Sequence, residues 1–91
     1  MANTRFEVYF SGRVQGVGFR YTAKQVANSF HVVGTVQNLP DRRVKMVVEG
    51  EPATIESFIQ QICESTHGQV TETEISRMPP TGRFSGFEIV V

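Results

Sequence analysis

Polar and apolar residues alternate near the start of the chain. Phe6, Val8 and Phe10 fall on one side of an extended segment, and Arg5, Glu7, Tyr9 and Ser11 on the other. A period of two marks a strand with one buried face. From Gly12 to Gly18 glycine interrupts the pattern. Helical spacing then takes over. Phe19, Ala23, Val26, Ala27 and Phe30 recur as they would along one side of a helix, predicted over residues 21–30. Residues 32–39 read as a second strand and Pro40-Asp41-Arg42-Arg43 as a turn. Val44, Met46 and Val48 then alternate with Arg43, Lys45 and Glu49 in a third strand. A turn this short predicts a hairpin.

Gly50-Glu51-Pro52 opens a second helix, where Pro52 suits a first turn because it has no N–H to satisfy. Ile55, Phe58, Ile59, Ile62 and Cys63 follow at helical intervals. Gly68 ends that region. Residues 69–77 read as a polar strand near an edge, and residues 78–82, with Pro79-Pro80, as a loop. Residues 84–91 read as a last strand, with Phe87, Ile89 and Val91 on one side. The order β-α-β-β-α-β with a further terminal strand predicts an α+β, ferredoxin-like split βαβ sandwich. Two helices should cover one face of a mainly antiparallel, four- to five-stranded sheet. Residues 1–91 are expected to form a single domain.

Composition narrows the functional classes. Nine basic and nine acidic residues give zero formal net charge. That argues against a nucleic-acid binder, whose affinity comes from an excess of positive charge. Cys63 is the one cysteine, so neither an internal disulfide nor a four-cysteine zinc site is possible. A single thiol and the absence of a signal-peptide pattern in the first ten residues predict a reducing cytoplasm. No apolar run approaches the ~20 residues needed to span a bilayer.

The chemistry gathers in Gly12-Arg13-Val14-Gln15-Gly16-Val17-Gly18-Phe19-Arg20, between a buried strand and a helix. Glycine permits positive φ, so successive N–H groups can point into one concavity. The helix start adds unpaired N–H groups and the positive end of its dipole. Such an arrangement suits a tetrahedral anion. Arg20 adds a planar fork of donors that stays charged. The common phosphate loops do not fit: the Walker pattern needs glycine where Val17 stands, and the dinucleotide pattern needs glycine where Tyr21 stands. On the glycines alone, a strained turn beside a surface arginine is an equal alternative. Asn38, before Leu39-Pro40, reads in isolation as a turn former.

Taken together, the two segments resemble the acylphosphatase family. Its first motif, Gly-Arg-Val-Gln-Gly-Val-x-Phe-Arg, matches residues 12–20 throughout. Its second, Gly-x-Val-x-Asn-x-x-Asp-Gly-x-Val, matches at Gly34, Val36, Asn38, Asp41 and Val44. Arg42 stands where the second motif has glycine, at a turn position expected to have positive φ. The resemblance implies hydrolysis of acyl phosphates to carboxylate and phosphate. It implies a phosphate cradle of backbone N–H groups from Gln15, Gly16, Val17, Gly18, Phe19 and Arg20. It further implies that the Arg20 side chain grips the phosphate and that Asn38 orients the attacking water. The implied partners are a small-molecule acyl phosphate and, in the loop, a phosphate or sulfate ion. No metal, cofactor, nucleic acid or membrane is implied, and a monomer is the default.

Other residues weigh less. His31 and His67 fall at helix ends, and Glu49, Glu51 and Glu56 read as a solvated face. Cys63 reads as core and Arg13 as a strand-end residue near the cradle. Two other functions fit the topology. An RNA-recognition domain would stack bases on aromatics of the central strands, where only Tyr9 is available. A domain that binds the anion without turnover, as in larger hydrogenase-maturation carbamoyltransferases, would keep the same cradle.

Overall fold

Seven elements follow in order: β1 (Thr4–Gly12), α1 (Phe19–Ala27), β2 (Val32–Asn38), β3 (Val44–Gly50), α2 (Pro52–Ser65), β4 (Val70–Met78) and β5 (Phe87–Val90). The computed structural model describes residues 2–91. The strands form one sheet in the order β4-β1-β3-β2-β5. All neighbours are antiparallel except β5, which runs parallel to β2. Both helices belong to the layer on one face, giving the expected ferredoxin-like α+β sandwich with five strands.

The alternation in β1 does what its period requires. Phe6, Val8 and Phe10 are fully buried, as are Val44, Met46 and Val48 of the paired strand β3. The helices close over them with Ala23 from α1 and with Ile55, Phe58 and Ile62 from α2. The Phe58 ring lies 5.7 Å from that of Phe30 and 5.3 Å, edge-on, from that of Phe87. Such contacts add about 0.5–1.5 kcal/mol beyond area burial.

Several boundaries differ from the periodicity. The first helix begins at Phe19 because the Thr22 N–H already donates to the Gly18 carbonyl at 2.9 Å. It stops at Ala27 because the N–H groups of Asn28, Ser29 and Phe30 reach back only three residues, tightening the last turn. Phe30 keeps its apolar contact from that turn. The last strand is confined to Phe87–Val90, so Phe84 and Val91 lie outside it and Val91 is exposed. Met78 remains in β4, paired with Arg5, rather than opening the following loop.

Glu49 is a correction. Its place in the alternation put it on a solvated face, yet it is 3% exposed. The segment after β4 folds over it. Its carboxylate accepts the Thr81 N–H at 2.8 Å, the Thr81 hydroxyl at 2.8 Å and the Gly82 N–H at 2.9 Å. The Arg5 guanidinium lies 3.5 Å away. Burial pushes this carboxyl up, but the two N–H groups, the hydroxyl and Arg5 together hold it below the usual glutamate value. Glu51 is partly buried and Glu56 is exposed, paired with Arg77.

Arg42, where the family motif has glycine, has φ 75°, in the left-handed region. A side chain there costs about 1–2 kcal/mol. Replacing Arg42 with Gly should therefore raise the urea midpoint, at unchanged slope, by the equivalent of about 1 kcal/mol; an unchanged or lower midpoint would show that the turn is not strained. A carboxylate held below its ordinary value stabilises the fold at neutral pH, and that contribution is lost as pH falls through the folded value. The stability gap between wild type and Glu49→Gln should thus be widest near neutrality and shrink below about pH 4. A gap constant with pH in denaturant titrations would count against the clasp.

Candidate active site

Val44 pairs with Phe10 on one side and Asn38 on the other. Adjacent strands lie about 4.8 Å apart. The end of β1 and the end of β2 are thereby held in one row across β3, and both segments singled out in the sequence start from that row.

The loop after β1 turns at Gly16, φ 76°, and again at Gly18, φ 79°. A Cβ at either would meet no protein atom within 4 Å. Backbone conformation, not crowding, therefore accounts for glycine here. Gly18 is also the N-cap residue of α1 and offers no side-chain acceptor, so no cap engages the first N–H groups of the helix. These residues face a cavity of about 150 Å³ lined by Val14, Gly16, Gly18, Phe19, Arg20, Tyr21, Asn38 and Ile89. Phe19 anchors the loop from below, its buried ring 5.0 Å from that of Phe10.

Two polar side chains converge there. The Arg20 guanidinium takes part in none of the ion pairs found among the described residues. Asn38 Oδ1 is buried with no hydrogen-bond partner in the protein, the one such side-chain atom among the described residues. A buried carboxamide oxygen left unpaired costs about 1–3 kcal/mol. The lining holds no carboxylate, thiol or imidazole. The arrangement can bind an anion and hold a donor against Asn38, and among its lining side chains it has no general base at neutral pH.

Of the six residues expected in the cradle, Gly16, Gly18, Phe19 and Arg20 line the cavity. Val17, between two lining glycines, is 38% exposed and does not itself line the cavity. Gln15 does not line the cavity, and its carboxamide has a task the motif does not announce. Its Nε2 donates to the carbonyls of Leu39 at 2.8 Å and Arg43 at 2.9 Å. The loop is thus tied directly to the hairpin turn that follows Asn38. Gln15 also borders a separate cleft of about 400 Å³ together with Arg13 and Arg42. The sequence held no signal for Ile89, which reaches the cavity from the far strand, nor for the carbonyls that Gln15 bridges.

The remaining candidates lie elsewhere. His31 and His67 are exposed and do not line the cavity. Cys63 is half-buried against the core, and burial pushes its thiol up while a hydrogen bond with Thr73 opposes the shift. That environment disfavours the thiolate a reactive cysteine needs. A larger cleft of about 420 Å³ includes His31, Glu49 and Glu51 at the opposite end of the strands. Its buried carboxylate is already satisfied by the Thr81 and Gly82 donors. The Tyr9 ring on the open face of the sheet is covered by Arg43, 4.6 Å from its centroid.

Comparison with known proteins places this geometry. The acylphosphatase family model matches residues 6–89. The chain is 42% identical over 90 residues to an acylphosphatase of Haloarcula marismortui, covering 98% of each. It is 41% identical over 86 residues to one of Rubrobacter xylanophilus, covering 93% of this chain and 78% of the relative. The crystal structure of acylphosphatase from Bacillus subtilis superposes with a TM-score of 0.88 at 30% identity, covering 97% of this chain and 99% of that one. With the cradle motif, the fold and these relatives in agreement, the chain belongs to the acylphosphatase family, hydrolases of the mixed anhydrides of carboxylic and phosphoric acids.

Proposed function

We propose that this acylphosphatase cleaves its substrate through Arg20, Asn38 and the backbone N–H groups of Gln15, Gly16, Val17, Gly18, Phe19 and Arg20. The observation that carries the assignment is the buried, unpartnered Oδ1 of Asn38 in the same cavity as Arg20. The N–H groups and the guanidinium take the phosphoryl oxygens. A water donates one O–H to Asn38 Oδ1, which turns its lone pair toward phosphorus. The new P–O bond forms as the bond from phosphorus to the acyl oxygen breaks, and that electron pair departs on the carboxylate.

The chemistry fits the residues present. The leaving group's conjugate acid has a pKa of about 4, by analogy with side-chain carboxyls, so it departs without protonation. Asn38 cannot accept the water's proton, which passes to a phosphoryl oxygen. Phosphoryl transfer needs mainly positioning and charge stabilisation, and the site supplies both. The path uses no metal or cofactor. The product phosphate, or sulfate in its place, would occupy the same loop.

The reading extends to a monomer, one domain over residues 1–91, in a reducing cytoplasm. One continuous core and one half-buried cysteine support it. No helix among the described residues is long and apolar enough to cross a membrane.

Arg20→Ala and Asn38→Ala should each cut kcat for benzoyl phosphate by about 10²–10³-fold while leaving the circular dichroism spectrum unchanged. Full activity in both variants would overturn the assignment of roles. Wild-type turnover should survive EDTA; its loss would refute the metal-free path.

A further inference from the structure

We infer that Tyr21, with Ile89 beside it, forms the wall on which the acyl group packs, and that it selects acyl phosphates carrying a flat or bulky apolar acyl group. The inference rests on the proposed placement of the phosphoryl group beside Arg20. The polar groups of the cavity are Arg20, Asn38 and the loop N–H groups, and they are committed to phosphate and water. What remains of the lining is apolar: chiefly Tyr21, Ile89 and Val14. Tyr21 lines the same cavity as Arg20, so a group attached to a phosphoryl oxygen held there has the ring among the surfaces available to it.

Burial supports this use. Tyr21 is 61% exposed and takes no part in the hydrophobic core. Its hydroxyl accepts a hydrogen bond from Gln25 Nε2, one turn along α1, at 3.2 Å. That contact engages the hydroxyl alone, and the residue's exposure leaves its apolar ring uncovered. Val17, 38% exposed, stands in the adjoining loop. Of four large apolar side chains exposed among the described residues, these two flank the cradle. An aromatic ring covering part of an apolar acyl group favours it by about tenfold over a methyl group.

The test compares kcat/KM for benzoyl phosphate and acetyl phosphate in wild type, Tyr21→Ala and Tyr21→Phe. Taking the ratio within each variant and comparing variants cancels the intrinsic reactivity of the two anhydrides. Tyr21→Ala should lower the benzoyl value about tenfold and the acetyl value less than about twofold. Tyr21→Phe should keep the wild-type ratio, because the ring and not the hydroxyl makes the contact. Inhibition constants for benzylphosphonate and methylphosphonate should diverge in the same way. Equal losses for both substrates, or an unchanged ratio in Tyr21→Ala, would overturn the inference. Should wild type hydrolyse neither substrate, the proposed function itself fails, and the phosphonate affinities then decide the role of Tyr21.

Discussion

The pairing of β1 with β3 is the constraint on which the rest of the molecule depends. Its register runs from Thr4↔Gly50 to Phe10↔Val44 without a break. A slip of one residue would turn Phe6, Val8 and Phe10 out of the core and Arg5, Glu7 and Tyr9 into it. The same register sets where β1 ends, and hence where the glycine loop starts. Because β3 also pairs with β2 from Val32↔Gly50 to Asn38↔Val44, the position of Asn38 follows from the same ladder. The distance between the glycine loop and the asparagine is therefore a property of the sheet's hydrophobic pattern, and the bonds of Gln15 to Leu39 and Arg43 fix what the sheet leaves free.

This division explains what could be read from residue order. Strands with one buried face announce themselves by alternation, and β1 and β3 did so. The amphipathic stripe of α2 is equally local. Arg20 and the glycines are adjacent in sequence, so their convergence was legible before any long-range contact was known. Glu49 was not legible. It lies on the polar side of a strand, and only the return of Thr81 and Gly82 buries it. The helix boundaries at Phe19 and Ala27 depend on which carbonyl each N–H selects, which apolar spacing does not record. Ile89 enters the site because β5 runs parallel to β2, a pairing between segments some fifty residues apart. The bridging role of Gln15 is invisible for the same reason, since its acceptors are backbone atoms of a distant turn.

The charge balance takes a different meaning once positions are known. Arg5, Lys24, Arg43 and Arg77 have carboxylate partners. Arg13, Arg20, Arg42, Lys45 and Arg83 have none among the described residues, and the first three border the loop or its neighbouring cleft. A chain with no net charge thus gathers three of its five unpaired cations at one end of its sheet. Such a cluster makes a local positive field that a formal charge of zero does not reveal.

The edges of the sheet have a consequence for how copies of the chain meet. β5, at one edge, is only four residues long. β4, at the other, is nine residues long and exposed along most of its length. Open strands of that length invite another chain to continue the ladder. Here the edge carries Glu72 and Glu74, with Pro79 and Pro80 just beyond its end. Glu72 and Glu74 fall on one face of β4 and charge it negatively, and proline has no N–H to offer a further strand. Acidic side chains along the long edge and prolines just past its end thus oppose the addition of a further strand there, a safeguard written into the longer of the two edges that the chain leaves open.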